Sequence, residues 1–285
     1  MNIVYLNGNY VPLGQACISP LDRGFMFGDG VYEIIGIYRG KLVSSREHLL
    51  RLQQSSKAIK LPLKVSIKHW EDIFYELIKR NRAENKNKYI YLQVTRGVDK
   101  KRTHIFPKGR VRPTVFVMLG DVHPPSYDEL SKGYSAITRN DIRWSYCSVK
   151  SIALLANVLA SQEAEGHGAT ETIFIHNNYA LEGSNSNLFV VKNKVLITPP
   201  KSKRLLGGIT REIILKLAKQ LKISCKVRNI TKQELFDVDE IWVSSAVRDI
   251  MPIIKLDNKL VGKGKVGPVW EQMQQAYQEY KVQQT

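Results

Sequence analysis

The 285-residue chain predicts a soluble α+β protein of two domains, and three observations carry that prediction. Its length exceeds one typical domain. Its apolar residues alternate with period two in some segments and recur at helical spacing in others. Consecutive prolines at His123-Pro124-Pro125-Ser126 form the best linker, because they extend the chain and cannot enter a sheet interior. We expect a small N-terminal α+β domain over residues 1–120, a linker over 121–133, and a larger domain over 134–285.

In order, Ile3 to Val11 reads as a hairpin on the Asn7-Gly8 turn. Three glycines in D-R-G-F-M-F-G-D-G, residues 22–30, point to backbone packed closely against a neighbour. V-Y-E-I-I-G-I-Y follows as a strand that turns at Arg39-Gly40. Ser44 and Glu47 are spaced as a capping box opening a helix that Pro62 ends. A second amphipathic helix carries Trp70, Ile73, Phe74, Leu77 and Ile78, and two strands, Y-I-Y-L-Q-V-T and T-V-F-V-M-L, complete this half.

In the second half, D-I-R-W-S-Y alternates as a strand, and Ile152, Leu155, Val158 and Leu159 follow at the spacing of a packed helix. Hairpins are expected at Asn177-Asn178, within N-L-F-V-V-K-N-K-V-L-I-T, and at Asp257-Asn258. Helices are expected after Gly207-Gly208 and from Pro268 to near Tyr280.

Composition narrows the function. No apolar run approaches the roughly 20 residues of a membrane span, and the N-terminal hairpin pattern is unlike a signal peptide, so a cytoplasmic, non-membrane protein is expected. Cys17, Cys147 and Cys225 are odd in number and widely spaced, which fits reduced interior thiols. Six histidines show no ligand spacing, so no metal is expected. The net charge of +17 is scattered over the length without a nucleic-acid-binding motif, and no nucleic-acid partner is expected.

Five features can carry chemistry. Lys150, between the expected strand and helix, would be a nucleophilic amine able to form a Schiff base if desolvated; otherwise it is a loop lysine. Glu182 ends an apolar strand before the polar loop Gly183–Asn187, where a carboxylate stays ionised if it meets a cation such as a protonated heteroaromatic nitrogen; otherwise it is a solvated hairpin residue. Gly207-Gly208-Ile209-Thr210 opens a helix whose unpaired N–H groups suit a phosphate, with Thr210 as cap or hydroxyl donor and Ser244-Ser245 as further donors. Arg102-Thr103-His104 can fork a carboxylate and is otherwise solvated charge on a basic loop, and Tyr32 at a strand start is either a further contact or a core residue with its hydroxyl at the surface. Together these describe a phosphorylated, electron-poor aromatic cofactor held by an amine.

In these motifs the chain resembles the fold-type IV pyridoxal-phosphate enzymes, the class IV aminotransferase family. That family includes D-amino acid transaminases, branched-chain aminotransferases and aminodeoxychorismate lyases. D-R-G-F-M-F-G-D-G-V-Y-E resembles its N-terminal signature, D-I-R-W-S-Y-C-S-V-K-S its lysine segment, L-E-G-S-N-S-N-L-F its glutamate loop and L-L-G-G-I-T-R its phosphate loop, all in the family's order. R-T-H-I-F-P resembles the loop of the D-amino acid transaminases.

The resemblance implies a two-domain fold with a β-barrel-like larger domain, pyridoxal 5'-phosphate as cofactor, amino acid and 2-oxo acid substrates, and a homodimer whose active sites borrow from the partner subunit. It implies that D-alanine and 2-oxoglutarate become pyruvate and D-glutamate. Lys150 would hold the cofactor and move the proton. Glu182 would face the ring nitrogen and Leu206 the ring. Arg51, Ile209, Thr210 and Ser245 would hold the phosphate, and Tyr32, Arg102 and His104 the substrate carboxylate. Asn185 and Arg248 depart from the family pattern near the ring and the phosphate.

Overall fold

The computed structural model describes residues 2–61, 63–109, 111–122 and 124–284. Pro62, expected to end a helix, and His123 of the expected linker lie outside the described residues. The chain divides into two compact units. One comprises Met1–His123, Val149–Ala153 and Gln284–Thr285, the other Pro124–Ser148 and Leu154–Gln283. Two differences from the expected boundaries follow. The segment around Lys150 joins the first unit, and the expected linker holds a short helix of the second. Among the described residues no helix is long and apolar enough to cross a membrane.

The first unit runs β1 (Ile3–Leu6), β2 (Asn9–Pro12), α1 (Arg23–Phe27), β3 (Gly30–Tyr38), β4 (Lys41–Leu42), α2 (Ser45–Ala58), α3 (Ile67–Arg80), β5 (Lys88–Thr95) and β6 (Thr114–Asp121). Its six strands lie in the order β2-β1-β6-β5-β3-β4. Alternation sends Val31, Ile35 and Ile37 of β3 into a core shared with Leu49 and Leu52 of α2 and Trp70, Phe74 and Leu77 of α3. Glu33 occupies that same inward row.

Asn7 and Gly8 take positive φ at the first hairpin, as its turn demands. The capping box expected at Ser44 does not form. Ser44 is left-handed at φ 52° and makes no side-chain cap bond, so its hydroxyl is not aimed at the helix N–H groups. The glycine spacing after Asp22 has a steric cause: a Cβ on Gly24 would stand 2.3 Å from Thr95 Cγ2. Asp22, buried, caps α1 by accepting from the Gly24 N–H at 2.7 Å, and it also takes the hydroxyls of Thr95 and Thr114.

The second unit runs α4 (Tyr127–Ser131), β7 (Tyr134–Asn140), α5 (Leu155–Gly166), β8 (Glu171–His176), β9 (Tyr179–Gly183), β10 (Asn187–Lys192), β11 (Val195–Thr198), α6 (Ile209–Gln220), β12 (Cys225–Val227), β13 (Ile230–Thr231), β14 (Glu240–Ser245), β15 (Asp249–Leu256), β16 (Lys259–Leu260) and α7 (Pro268–Gln283). A capping box between Ser126 and Glu129 starts α4. The sheet order is β12-β11-β10-β14-β15-β7-β8-β9-β13, and β10 also pairs with β9, so the sheet closes on itself in the barrel-like form expected. The closing pair is Asn187 opposite Glu182.

Three expectations are corrected here. The strand ends at Asn140, and residues 141–149 are irregular. Asp141 Oδ1 accepts the Arg143 N–H at 3.0 Å, a local bond that competes with a strand ladder. Helix α5 buries Ala160 and Ala164, whereas Leu155, Val158 and Leu159, expected inward, are exposed. Of the three cysteines, only Cys147 is buried.

Candidate active site

In the first unit, Lys150 hangs between β3 and α2: its N–H donates to Ser55 Oγ at 3.1 Å and its carbonyl accepts the Tyr32 N–H at 3.0 Å. Its Nζ stands 4.2 Å from the Tyr32 ring centroid. Tyr32 is on the β3 face opposite the core, beside Tyr91 at 5.8 Å between centroids. Lys150 is half-buried and follows an irregular segment, which corrects its expected place at the end of a buried strand.

Arg51 projects from α2 and forks Glu33, Nε to Oε1 at 2.7 Å and Nη2 to Oε2 at 2.8 Å. His48 Nδ1 lies 2.8 Å from Glu33 Oε2, so a neutral imidazole donates there. Burial alone would push Glu33 up, but the Arg51 guanidinium and the donors around it outweigh that and hold the carboxyl at about 2. Burial keeps His48 below its usual value. Neither Glu33 nor His48 was singled out from sequence. The available signal was a carboxylate in the inward row of a strand, with His48 and Arg51 one helical turn apart.

Arg102 and His104 lie on a loop that packs against Phe27 of α1. The Arg102 guanidinium and the His104 ring each lie 5.3 Å from the Phe27 ring centroid. Arg23 pins the loop between them, donating to the carbonyls of Thr103 at 2.7 Å and Ile105 at 3.4 Å. Asp29 holds Arg23 from the other side and also takes Arg96, whose guanidinium covers Phe106 at 3.8 Å.

In the second unit, Glu182 is buried at the seam of the closed sheet. Its Oε1 accepts from Arg143 Nη1 at 2.6 Å, and its Oε2 from the Leu206 N–H at 3.0 Å and the Asn187 amide at 3.2 Å. Burial pushes its carboxyl up, to about 7, although Arg143 opposes the shift. Asn185, the departure noted in this loop, is exposed; the amide at Glu182 belongs to Asn187. Arg143 is a further residue that sequence reasoning missed.

Ile209 and Thr210 open α6, whose N-cap is Gly208 with no side-chain cap bond. Thr210 is therefore inside the first turn and is not its cap. Gly208 is required there, because a Cβ would meet Asn187 Oδ1 at 1.7 Å. Ser245 ends β14, and its Oγ accepts the Arg248 N–H at 3.3 Å. Arg248 Nη1 reaches Glu171 Oε2 at 3.4 Å.

These features fit pyridoxal phosphate. An uncapped helix N-terminus suits a phosphate. A buried carboxylate that burial makes costly to ionise suits a protonated ring nitrogen. The buried Ser244 Oγ has no hydrogen-bond partner among the described residues, so a donor is left over beside Ser245.

A match to the amino-transferase class IV family covers residues 30–256, and the chain belongs to that family: it is a pyridoxal-phosphate-dependent aminotransferase. It is 39% identical to a D-alanine aminotransferase of Staphylococcus aureus (strain MSSA476) over 98% of both chains. Among solved structures, it resembles a branched-chain amino acid aminotransferase of Escherichia coli at TM-score 0.90 and 28% identity, over 98% of this chain and 94% of that one. It also resembles a T.th. branched-chain amino acid aminotransferase complexed with N-(5'-phosphopyridoxyl)-L-glutamate, at TM-score 0.88 and 25% identity over 99% and 95%.

Proposed function

We propose that this enzyme transfers the amino group of D-alanine to 2-oxoglutarate, yielding pyruvate and D-glutamate. The observation that carries the reading is the pairing of Arg102 with His104 on Phe27, which presents a forked cation and a second donor on one loop. A substrate α-carboxylate is the natural guest of that pair. Relatives named D-alanine aminotransferase, 39% identical over 98% of the chain, support the same substrate.

The bound cofactor would supply an electrophilic carbon for the amine and a ring that withdraws electrons from Cα. The rest falls to the chain. Lys150 Nζ would hold the cofactor covalently and would carry the proton to and from Cα. Its backbone, tied to Ser55 and Tyr32, limits where the amine can swing. Glu182 would hold a proton on the ring nitrogen, and Leu206, whose N–H binds Glu182, would pack against the ring. Arg51, Ile209, Thr210 and Ser245 would bind the phosphate, and Tyr32 would complete the carboxylate site. In this reading Arg102 and His104 serve the site of the partner subunit in a homodimer. The exposed Leu155, Val158 and Leu159 on one helix support self-association.

The test is the amino-donor profile of the purified yellow protein with 2-oxoglutarate as acceptor. D-alanine should be the fast donor. The solved relatives titled branched-chain amino acid aminotransferases favour the second reading, an L-selective enzyme on the same fold. Faster turnover of L-leucine than of D-alanine would establish it.

A further inference from the structure

Arg143 carries no role in any of the sequence motifs, yet its guanidinium is held between two buried carboxylates. Its Nε and its own N–H both donate to Asp141 Oδ1, at 2.9 and 3.0 Å, and Nη2 donates to Asp141 Oδ2 at 3.1 Å and to the Arg204 carbonyl at 3.2 Å. One face of the group lies 4.2 Å from the Phe174 ring centroid. That leaves Nη1 aimed at Glu182 Oε1, 2.6 Å away. The side chains of Asp141, Arg143 and Glu182 are 0%, 6% and 6% exposed, so the triad is out of water.

Two carboxylates share one guanidinium here, and with both ionised the triad carries a net negative charge in a buried place. Asp141 takes the bidentate contact, so Glu182 is the member left short of positive charge. Its other oxygen has only the neutral donors of Leu206 and Asn187. A neutral glutamic acid would be a proton donor, and it could not keep a proton on a ring nitrogen. Arg143 is what opposes that outcome.

We propose that Arg143, anchored by Asp141, is a positioning residue that keeps Glu182 ionised and fixes Oε1, so that the carboxylate is ready for the protonated nitrogen of the cofactor ring. The proposal rests on the reading above that Glu182 faces that nitrogen. Burial already drives Glu182 towards its neutral form, and the Arg143 charge is the largest influence against it.

The experiment is a double-mutant cycle read as the dissociation constant of pyridoxal phosphate, by titrating the cofactor into cofactor-stripped full-length protein and following the visible absorbance. R143M should weaken binding at least tenfold, and R143K, which restores a charge, should recover most of that loss. In the E182Q background R143M should add less than twofold, because the group it acts through has lost its charge. Equal weakening by R143M in both backgrounds would make Arg143 a purely structural residue and overturn the proposal, as would an unchanged constant in R143M alone. If E182Q itself leaves both affinity and absorbance at wild-type values, the assignment of Glu182 fails, and the proposal with it. D141N keeps the guanidinium but frees it, and gives the same comparison with E182Q where R143M yields no soluble protein.

Discussion

Arg51 meets Glu33 through two parallel hydrogen bonds of 2.7 and 2.8 Å, and the carboxylate it grips has no exposed surface. The pair joins α2 to β3 and fixes the guanidinium that the proposed function assigns to the phosphate. Removing one partner of a buried pair costs about 3–5 kcal/mol, because the other charge is stranded. E33Q is expected to lower the melting temperature by roughly 6–20 °C and to weaken pyridoxal phosphate binding. An E33Q protein that melts with wild type and binds the cofactor equally well would remove Glu33 from this role.

Glu33 and Glu182, both buried, make opposite demands on pH. Glu33 is held at about 2 against an ordinary 4.5, so its contribution is present above 4.5 and lost as pH falls through about 2. The shift corresponds to on the order of 3 kcal/mol. Glu182 is raised to about 7, so its contribution is present below 4.5 and lost as pH rises through about 7. Urea unfolding of the cofactor-stripped protein should therefore gain stability with pH in the lower window and lose it in the upper one. E33Q should flatten the first window, and E182Q should shrink the second, to which Glu240, also raised by burial, contributes. A steep upper window persisting in E182Q would assign the loss to another group.

Lys150 has its Nζ over the Tyr32 ring while its backbone is tied on both sides. K150A should abolish the visible absorbance of the bound cofactor and lower the rate by at least about 10²–10⁴-fold, the usual contribution of a positioned acid–base group. Retention of the coloured band in K150A would end the assignment.

Helix α5 turns Leu155, Val158 and Leu159 outward at 72%, 59% and 54% exposure. In the proposed homodimer such a row is the face an association would cover. L155E/L159E should shift the sedimentation coefficient of the proposed homodimer towards that of a monomer and reduce specific activity at low protein concentration. An unchanged dimer would place the interface elsewhere.

How far the sequence was legible follows from the range of each interaction. Hairpins at Asn7-Gly8 and Asn177-Asn178 were readable because the turn residues themselves adopt the positive φ required. Helix α3 was readable because Trp70, Ile73, Phe74, Leu77 and Ile78 form one face, and that face is buried. Helix α5 has an equally regular apolar face, but spacing alone does not say which surface covers it. The stretch after Asn140 alternates like a strand, but there Asp141 bonds Arg143 through its backbone N–H and its guanidinium, local bonds that compete with a ladder. Lys150 and Glu182 stand out as candidates from their local motifs. The partners of the candidate residues do not: Glu33 lies 18 residues from Arg51, and Arg143 lies 39 from Glu182. Such pairings come from the fold and leave no local pattern.

Arg102 and His104 belong to a loop whose shape is set from α1. Arg23 pins the carbonyls on either side of His104, and Phe27 lies beneath both side chains. A charge-assisted bond to a carboxylate contributes about 1.5–3 kcal/mol, so its loss corresponds to roughly 10–150-fold in affinity. R102A is expected to raise KM for D-alanine by that factor, with a smaller change in kcat if the contact is uniform between ground and transition states. R102K should recover only part, since a lysine cannot fork a carboxylate. F27A leaves both charged groups in place but removes their platform, so its KM should fall between wild type and R102A, with cofactor absorbance unaltered. If R102A leaves KM for D-alanine unchanged while weakening cofactor binding, the loop serves the phosphate end, and the D-amino acid reading loses its main support.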